Sequence, residues 1–305
     1  MRAFDSGVFV IGMHRSGTSA TARLVNLLGV PVGKAADLKP PSEVNTTGYW
    51  ESNSLTAFND RLLHCLGGSW AAPPLLEPGW ESARHLASHR RQGRTLFRWV
   101  HDTERWVWKD PRTCVTLPFW LLTLDVPSAI VLTHRNPLEI ARSIPRRYGV
   151  GKRLALAIWE RYMRTALAAS RGLPVFVMPY SRLLSRPRHW TERLRAFLVQ
   201  NGIERVSGNS PGRAAASIDP GLRHHALEHR ALISDPGITL EQREIFARLE
   251  SGVGGHDVFD GWRLPPESED VEALLAARRE RDLAYWSRVD RRGLIDRRMV
   301  LAVAP

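Results

Sequence analysis

Between positions 8 and 28 the chain passes from a strand through a glycine turn into a helix with almost no spare residues, and this unit limits what can be built around it. Val8, Phe9, Val10 and Ile11 form an unbroken apolar run of strand length that ends at Gly12. Ala20, Leu24, Val25, Leu27 and Leu28 then recur at helical spacing until Gly29 and Pro31 stop the pattern. A strand that is apolar on both faces needs cover on both, which predicts an α/β protein with a central parallel sheet flanked by helices. The turn itself, Gly12-Met13-His14-Arg15-Ser16-Gly17-Thr18-Ser19, aims backbone N–H groups and the positive end of a helix dipole at one point.

The same alternation continues downstream. Strands are predicted at 106–109, 128–133 and 174–178, and helices at 55–66, 115–124, 137–147 and 188–201, with a Pro-, Gly- and Ser-rich loop over 31–53. Residues 207–219 read as loop, and 240–249 and 271–289 as charged amphipathic helices. The expected organisation is an α/β core over 1–205 with a helical C-terminal extension over 206–305 packed on the same domain. Cys65 and Cys114 fit neither a disulfide framework nor a zinc spacing and are expected to be reduced core thiols. No apolar run reaches the roughly 18 residues of a membrane span, and the start lacks the signal-peptide pattern, so a cytoplasmic protein is expected.

With 43 Lys+Arg against 31 Asp+Glu the net charge is +12, which calls for an anionic partner. Only Lys34, Lys39, Lys109 and Lys152 are lysines, so the excess is arginine and also fits a GC-rich genome. A basic nucleic-acid binder is one reading of pI 10.7. Against it, aromatic residues are not interleaved with the basic runs and no nucleic-acid-binding motif is present.

Set on the phosphate-loop pattern G-x-x-x-x-G-K-[ST], the turn keeps both glycines and the closing hydroxyl but has Thr18 in place of lysine. The cation is Arg15 instead, among the hydroxyls of Ser16, Thr18 and Ser19. That suits an anion held without a metal between two phosphates, such as a sulfuryl donor. A kinase of a small metabolite is the competing enzyme class, and it would use Asp110 as its Mg²⁺ ligand. Lys109 ends a strand, where open α/β sheets bind ligands. Arg135 ends another, and Ser143 follows about two helical turns later, a charged and a neutral donor for one phosphate.

Taken together these segments resemble the sulfotransferases that use 3'-phosphoadenosine-5'-phosphosulfate (PAPS). Arg15-Ser16-Gly17-Thr18-Ser19 is similar to their 5'-phosphosulfate loop, and Arg135 and Ser143 keep the eight-residue spacing of their 3'-phosphate motif. Lys109-Asp110-Pro111 resembles the tyrosylprotein branch, and the stretch around Tyr180 resembles the strand that brings a tyrosine to the adenine. The resemblance implies a P-loop-like sulfotransferase fold, PAPS as co-substrate, adenosine 3',5'-bisphosphate (PAP) as product and no metal requirement. It assigns nucleotide contacts to His14, Arg15, Ser16, Gly17, Thr18, Ser19, Arg135, Ser143 and Tyr180. The chain departs from the aryl and steroid enzymes: Pro111 stands where they carry a catalytic histidine, Ala20 where they carry tryptophan, and Arg291-Arg292-Gly293 matches their C-terminal motif poorly.

Another base is therefore needed, and Glu51 in Gly48-Tyr49-Trp50-Glu51 is the candidate, its aromatic neighbours expected to desolvate it and raise its pKa. A first-turn helix glutamate is the plainer reading, and His101 and His134 are alternates. Arg15 and Lys109 complete the expected catalytic set. Two acid-free basic stretches remain, at 84–98 and 142–153. The first is either a solvated helix face or part of a site for an anionic acceptor, and the second adds positive field beside Arg135. The acceptor, a hydroxyl or amine of a carbohydrate, glycolipid or small metabolite, is not fixed by sequence, nor is the oligomeric state.

Overall fold

The computed structural model describes residues 4–42, 47–144, 148–203, 210–219, 221, 227, 232, 234–254 and 262–291. Four strands, β1 (Ser6–Ile11), β2 (Arg105–Lys109), β3 (Ser128–His134) and β4 (Val175–Pro179), form one parallel sheet in the order β2-β1-β3-β4. Val8 pairs with Val107 on one side and with Ala129 on the other, and Val131 pairs with Phe176.

Alternation along each strand sends side chains to two separate cores. Phe9, Ile11, Trp106, Trp108, Ile130, Leu132, Val175 and Val177 enter one, while Val8, Val10, Val107, Ala129, Val131, Phe176 and Met178 enter the other. Helices α1 (Thr18–Leu27) and α8 (Pro187–Gln200) cover the second face. The first is covered by α2 (Asn53–Cys65), α3 (Ala87–Val100), α4 (Thr113–Leu124), α5 (Pro137–Ser143) and α6 (Lys152–Ala169). A short α7 (Tyr180–Ser185) follows β4. The α/β architecture with a parallel sheet is thus the one the apolar strands required.

Beyond the sheet lie α9 (Pro211–Ala215), α10 (Leu240–Ser251) and α11 (Glu269–Arg291). Ile245, Phe246, Leu249, Val271 and Leu275 from the last two join the first core. Polar bonds fix them to α6. The carboxylate of Glu160, fully buried, accepts from Gln242 Nε2 at 3.0 Å, Ser268 N at 2.9 Å, Ser268 Oγ at 2.7 Å and Arg164 Nε at 2.9 Å. Beside it the buried guanidinium of Arg161 donates to Glu267 at 2.7 and 2.8 Å and to Glu272 at 2.7 Å.

The basic stretch at 84–98 contributes the helix α3; a Cβ on its Gly93 would lie 3.1 Å from the Phe58 ring, so glycine allows the close helix packing. Two expectations need correction. Within 207–219, read as loop, Ser210 caps α9 by accepting from Arg213 N at 3.4 Å, with Pro211 in the first turn. Cys65 is only partly buried, whereas Cys114 is a core thiol. Among the described residues no helix is long and apolar enough to cross a membrane. The Arg292-Gly293 end of the poorly matching C-terminal motif lies outside the described residues.

Candidate active site

Connections from β1 run to β2 on one side and onward to β3 on the other, so the loops leaving β1 and β3 meet at the carboxyl edge of the sheet. The loop after β1 turns on three positive φ values, Gly12 at 146°, Arg15 at 70° and Gly17 at 97°. Its glycines are also needed for space. A Cβ on Gly12 would lie 2.3 Å from Thr133 O, and one on Gly17 would lie 2.1 Å from the Tyr180 ring. Gly12 N donates to Cys114 Sγ at 3.1 Å, and burial pushes the Cys114 thiol well up, so it stays protonated beneath the loop.

Two groups of side chains gather here. In the first, Arg15 Nε donates to Ser143 Oγ at 2.9 Å, and Arg135 Nη1 donates to Arg15 O at 3.1 Å. Arg135 is aimed by Glu139, whose Oε2 accepts from Nε at 2.7 Å, and lies 5.1 Å from the centre of the Tyr180 ring. Burial and the charge of Arg135 lower the pKa of Arg15, with Tyr49, Tyr180 and Tyr148 near enough to oppose them. Ser16 Oγ and Arg135 Nη2 are buried without a hydrogen-bond partner among the described residues. Both are donors able to bond an anionic ligand. Beside Arg135 opens a cavity of about 230 Å³, lined also by His134, Glu139, Ser181, Phe246 and Glu250.

In the second group, Lys109 Nζ at the end of β2 donates to Glu51 Oε1, to Ser19 Oγ at 3.3 Å and to Tyr49 O at 3.2 Å. Ser19 lies in the first turn of α1, next to buried Thr18, so the two groups share the loop. Glu51 is brought round by Trp50, a non-glycine residue at φ 58°. Such strain persists only where neighbours hold it. Here Lys39 N donates to Glu51 O at 2.8 Å, and Asp37 accepts from Ser52 Oγ and from Ser54 Oγ at 2.6 Å. Asp37 carries no recognisable sequence motif, which is why the sequence reading missed it, and Trp50 was read only as an aromatic neighbour of Glu51.

The expected rise in the Glu51 pKa does not occur. Burial acts upward, but the Lys109 charge and hydrogen bond, with Arg112 and Lys39, outweigh it and hold the carboxyl below its ordinary value. His14 is neutral for related reasons: burial first, then Arg112, Lys109, Lys39 and Arg15, lower its pKa well below the usual range.

The other candidates are used elsewhere. His101 stacks on Phe97 at 4.4 Å inside the first core, where burial alone drops its pKa to about 3. His134 Nε2 lies 2.9 Å from Glu250 Oε1 at the cavity. Asp110 is fully buried and accepts from Asn59 Nδ2 at 2.9 Å and from Arg112 N at 3.0 Å, so its carboxylate is committed inside the protein. Of the 84–98 stretch, Arg84, Arg91, Arg94 and Arg98 are exposed, Arg94 Nε caps Thr123 O at 2.7 Å and Arg90 holds Glu81 O at 2.6 Å. That is a solvated helix face. In the 142–153 stretch, Lys152 pairs with Asp235 at 2.5 Å and Arg153 with Asp270, so acids of the C-terminal segment offset two of its charges; Arg146 and Arg147 lie outside the described residues.

The profile of the sulfotransferase family matches residues 7–201. The chain is also similar to three solved structures. The sulfotransferase domain of the Synechococcus PCC 7002 olefin synthase is 16% identical, with 91% of this chain and 95% of that one covered and a TM-score of 0.42. Sulfotransferase STF9 from Mycobacterium avium is 16% identical over 88% of this chain and 79% of that one, with a TM-score of 0.47. Sulfotransferase STF1 from Mycobacterium tuberculosis H37Rv is 18% identical over 80% and 77%, with a TM-score of 0.42. No curated protein matches the chain.

Proposed function

The chain belongs to the sulfotransferase family, and from that premise we propose that it transfers the sulfuryl group of PAPS to a hydroxyl or amine of a carbohydrate, glycolipid or small metabolite. One observation carries the donor assignment: Arg15, Arg135 and Ser143, drawn from positions up to 128 residues apart, are bonded into one cluster around the loop, with Ser16 Oγ and Arg135 Nη2 left as buried donors without a partner among the described residues. These donors fit the two phosphoryl ends of such a nucleotide. Ser16, Thr18 and Ser19 would hold the 5' end, Arg135 and Ser143 the 3'-phosphate, and Tyr180 the base.

When bound, the donor supplies a sulfur whose bond to the phosphate oxygen breaks as the bond to the acceptor oxygen or nitrogen forms, the electron pair staying on the phosphate oxygen. Glu51, ionised at neutral pH, takes the acceptor proton. Lys109 and Arg15 counter the charge that builds on the departing and non-bridging oxygens. As the Lys109 charge is drawn towards the departing oxygen, its hold on Glu51 weakens and the carboxylate becomes more basic. Glu51→Gln is expected to lower kcat about 10²- to 10⁴-fold while PAP affinity stays within about twofold, as for loss of a general base. Near-normal turnover would remove Glu51 from that role.

The donor itself is tested by titration calorimetry of PAP without metal. Wild type is expected to bind, and Arg135→Ala and Ser143→Ala to bind about 10- to 100-fold more weakly, the usual loss for hydrogen bonds to a charged group. Because Arg135→Ala also removes the guanidinium that donates to buried Glu139, Ser143→Ala is the cleaner variant. Preference for ATP with Mg²⁺ would overturn the PAPS assignment.

A further inference from the structure

Two aromatic residues, Trp70 and Tyr148, border the loop beside Arg15 and have no part in holding the nucleotide in the reading above. The His14 ring packs on Trp70 at 5.0 Å, and Trp70 meets Tyr148 edge to face at 5.6 Å. Trp70 is half-buried and Tyr148 is 42% exposed, so the pair leads from the loop to the surface. Trp70 sits in a tight turn, with Ser69 N donating to Ala72 O at 3.1 Å and Ala72 N to Ser69 O at 3.2 Å. From α6, Tyr162 Oη donates to Trp70 O at 3.0 Å.

Both segments are gripped by neighbouring residues of α11. Arg278 Nη1 donates to Tyr148 O at 2.8 Å and to Gly149 O at 3.3 Å. Arg279 Nη1 donates to Pro73 O at 3.2 Å, three residues beyond Trp70. The arginines are themselves aimed, Arg278 by Asp282 at 2.9 Å and Arg279 by Glu272. One helix thus ties together two loops that lie far apart in sequence and meet at this aromatic contact.

We propose that Trp70 and Tyr148 form the acceptor subsite for the C–H face of a hydroxyl-bearing sugar ring, and that Arg278 and Arg279 are positioning residues that set the spacing of this pair. The inference rests on the sulfuryl-transfer reading and specifies its substrate class. An aromatic ring stacks on the apolar face of a pyranose, while the hydroxyl rim of the sugar needs donors around it. Arg15 lies next to His14 in the chain, and Lys39 Nζ stands 4.5 Å over the Tyr49 ring close to Glu51. A planar aryl alcohol would offer the stacking face but only one oxygen to these cations.

The test uses the full chain saturated with PAP and saturation-transfer NMR against methyl glucoside, galactoside, mannoside and glucuronide, with 2-naphthol as the aryl arm. Ring C–H protons of at least one pyranoside should receive saturation. That signal should fall about fivefold in Trp70→Ala, Tyr148→Ala and Arg278→Ala, which corresponds to about 1 kcal/mol of binding free energy. Tyr148→Phe, which keeps the ring, and Arg278→Lys, which keeps a donor, should retain most of it, and PAP affinity should stay within about twofold in all five, an effect that general destabilisation would not produce. Signal on 2-naphthol alone, on none of the probes, or undiminished in Trp70→Ala would overturn the subsite. Failure of the wild type to bind PAP would instead overturn the donor reading on which the subsite rests.

Discussion

Replacing Lys109 by methionine is expected to abolish turnover and to destabilise the protein more at neutral than at acid pH. Lys109 is the buried counter-ion of Glu51, the two side chains being only 3% and 6% exposed. Methionine keeps much of the volume but leaves a buried carboxylate alone, and removing one partner of a buried pair costs about 3–5 kcal/mol. The sign follows from the pairing. In wild type the Glu51 pKa is held below its unfolded value, so the pair contributes stability above that unfolded pKa and loses it as pH falls through the folded one. Without Lys109, burial dominates and the pKa rises above its unfolded value, so the variant's penalty grows as pH rises from the unfolded pKa towards the raised folded one and disappears in acid. Urea denaturation at about pH 4 and pH 7 should show a larger gap from wild type at the higher value. Glu51→Gln added to Lys109→Met should recover much of the stability and none of the turnover. A gap independent of pH would mean that Glu51 is not the partner that matters.

Glu160→Ala should be the most destabilising change remote from the site. Its carboxylate serves Gln242, both donor groups of Ser268, and Arg164. Truncation strands Gln242 Nε2 and Ser268 N at a buried position and removes the negative partner of Arg164, for a loss of about 3–5 kcal/mol. Hydrogen exchange should show α10 and the start of α11 losing protection before the sheet does. Uniform loss across the sheet and both helices would instead make Glu160 part of the general core. Since α11 carries Arg278 and Arg279, the same change should weaken pyranoside binding more than PAP binding.

What could be read in advance followed local patterns. Each strand is apolar because it is buried on both faces, and the glycines of the loop are demanded by backbone geometry, so both leave marks in a single sequence. Arg15 and Ser143 were recognised separately, and the structure joins them. The state of Glu51 was not legible, because it depends on a lysine 58 positions away and on charges from three elements. The aromatic residues next to it suggested desolvation, whereas the lysine at the end of β2 decides the sign. In the basic stretch at 142–153 the partners of Lys152 and Arg153 were not legible for the same reason: Asp235 and Asp270 come from the C-terminal segment. The role of Gly93 in α3 appears only against Phe58 and Trp120.

The sheet order bears on how the chain is made. β1 is the earliest synthesised of the four strands, yet it lies between β2 and β3, with Gly7 facing Trp106 on one edge and Ser128 on the other. At roughly 5–20 residues per second on a ribosome, its first edge waits on the order of 5–20 s for β2 to appear, and its second edge waits longer. During that interval Val8, Phe9, Val10 and Ile11 are an apolar segment with both hydrogen-bonding edges open, the feature that recruits other chains. Yield of soluble protein should therefore depend on translation speed and on holdase chaperones more than on the stability of the finished fold.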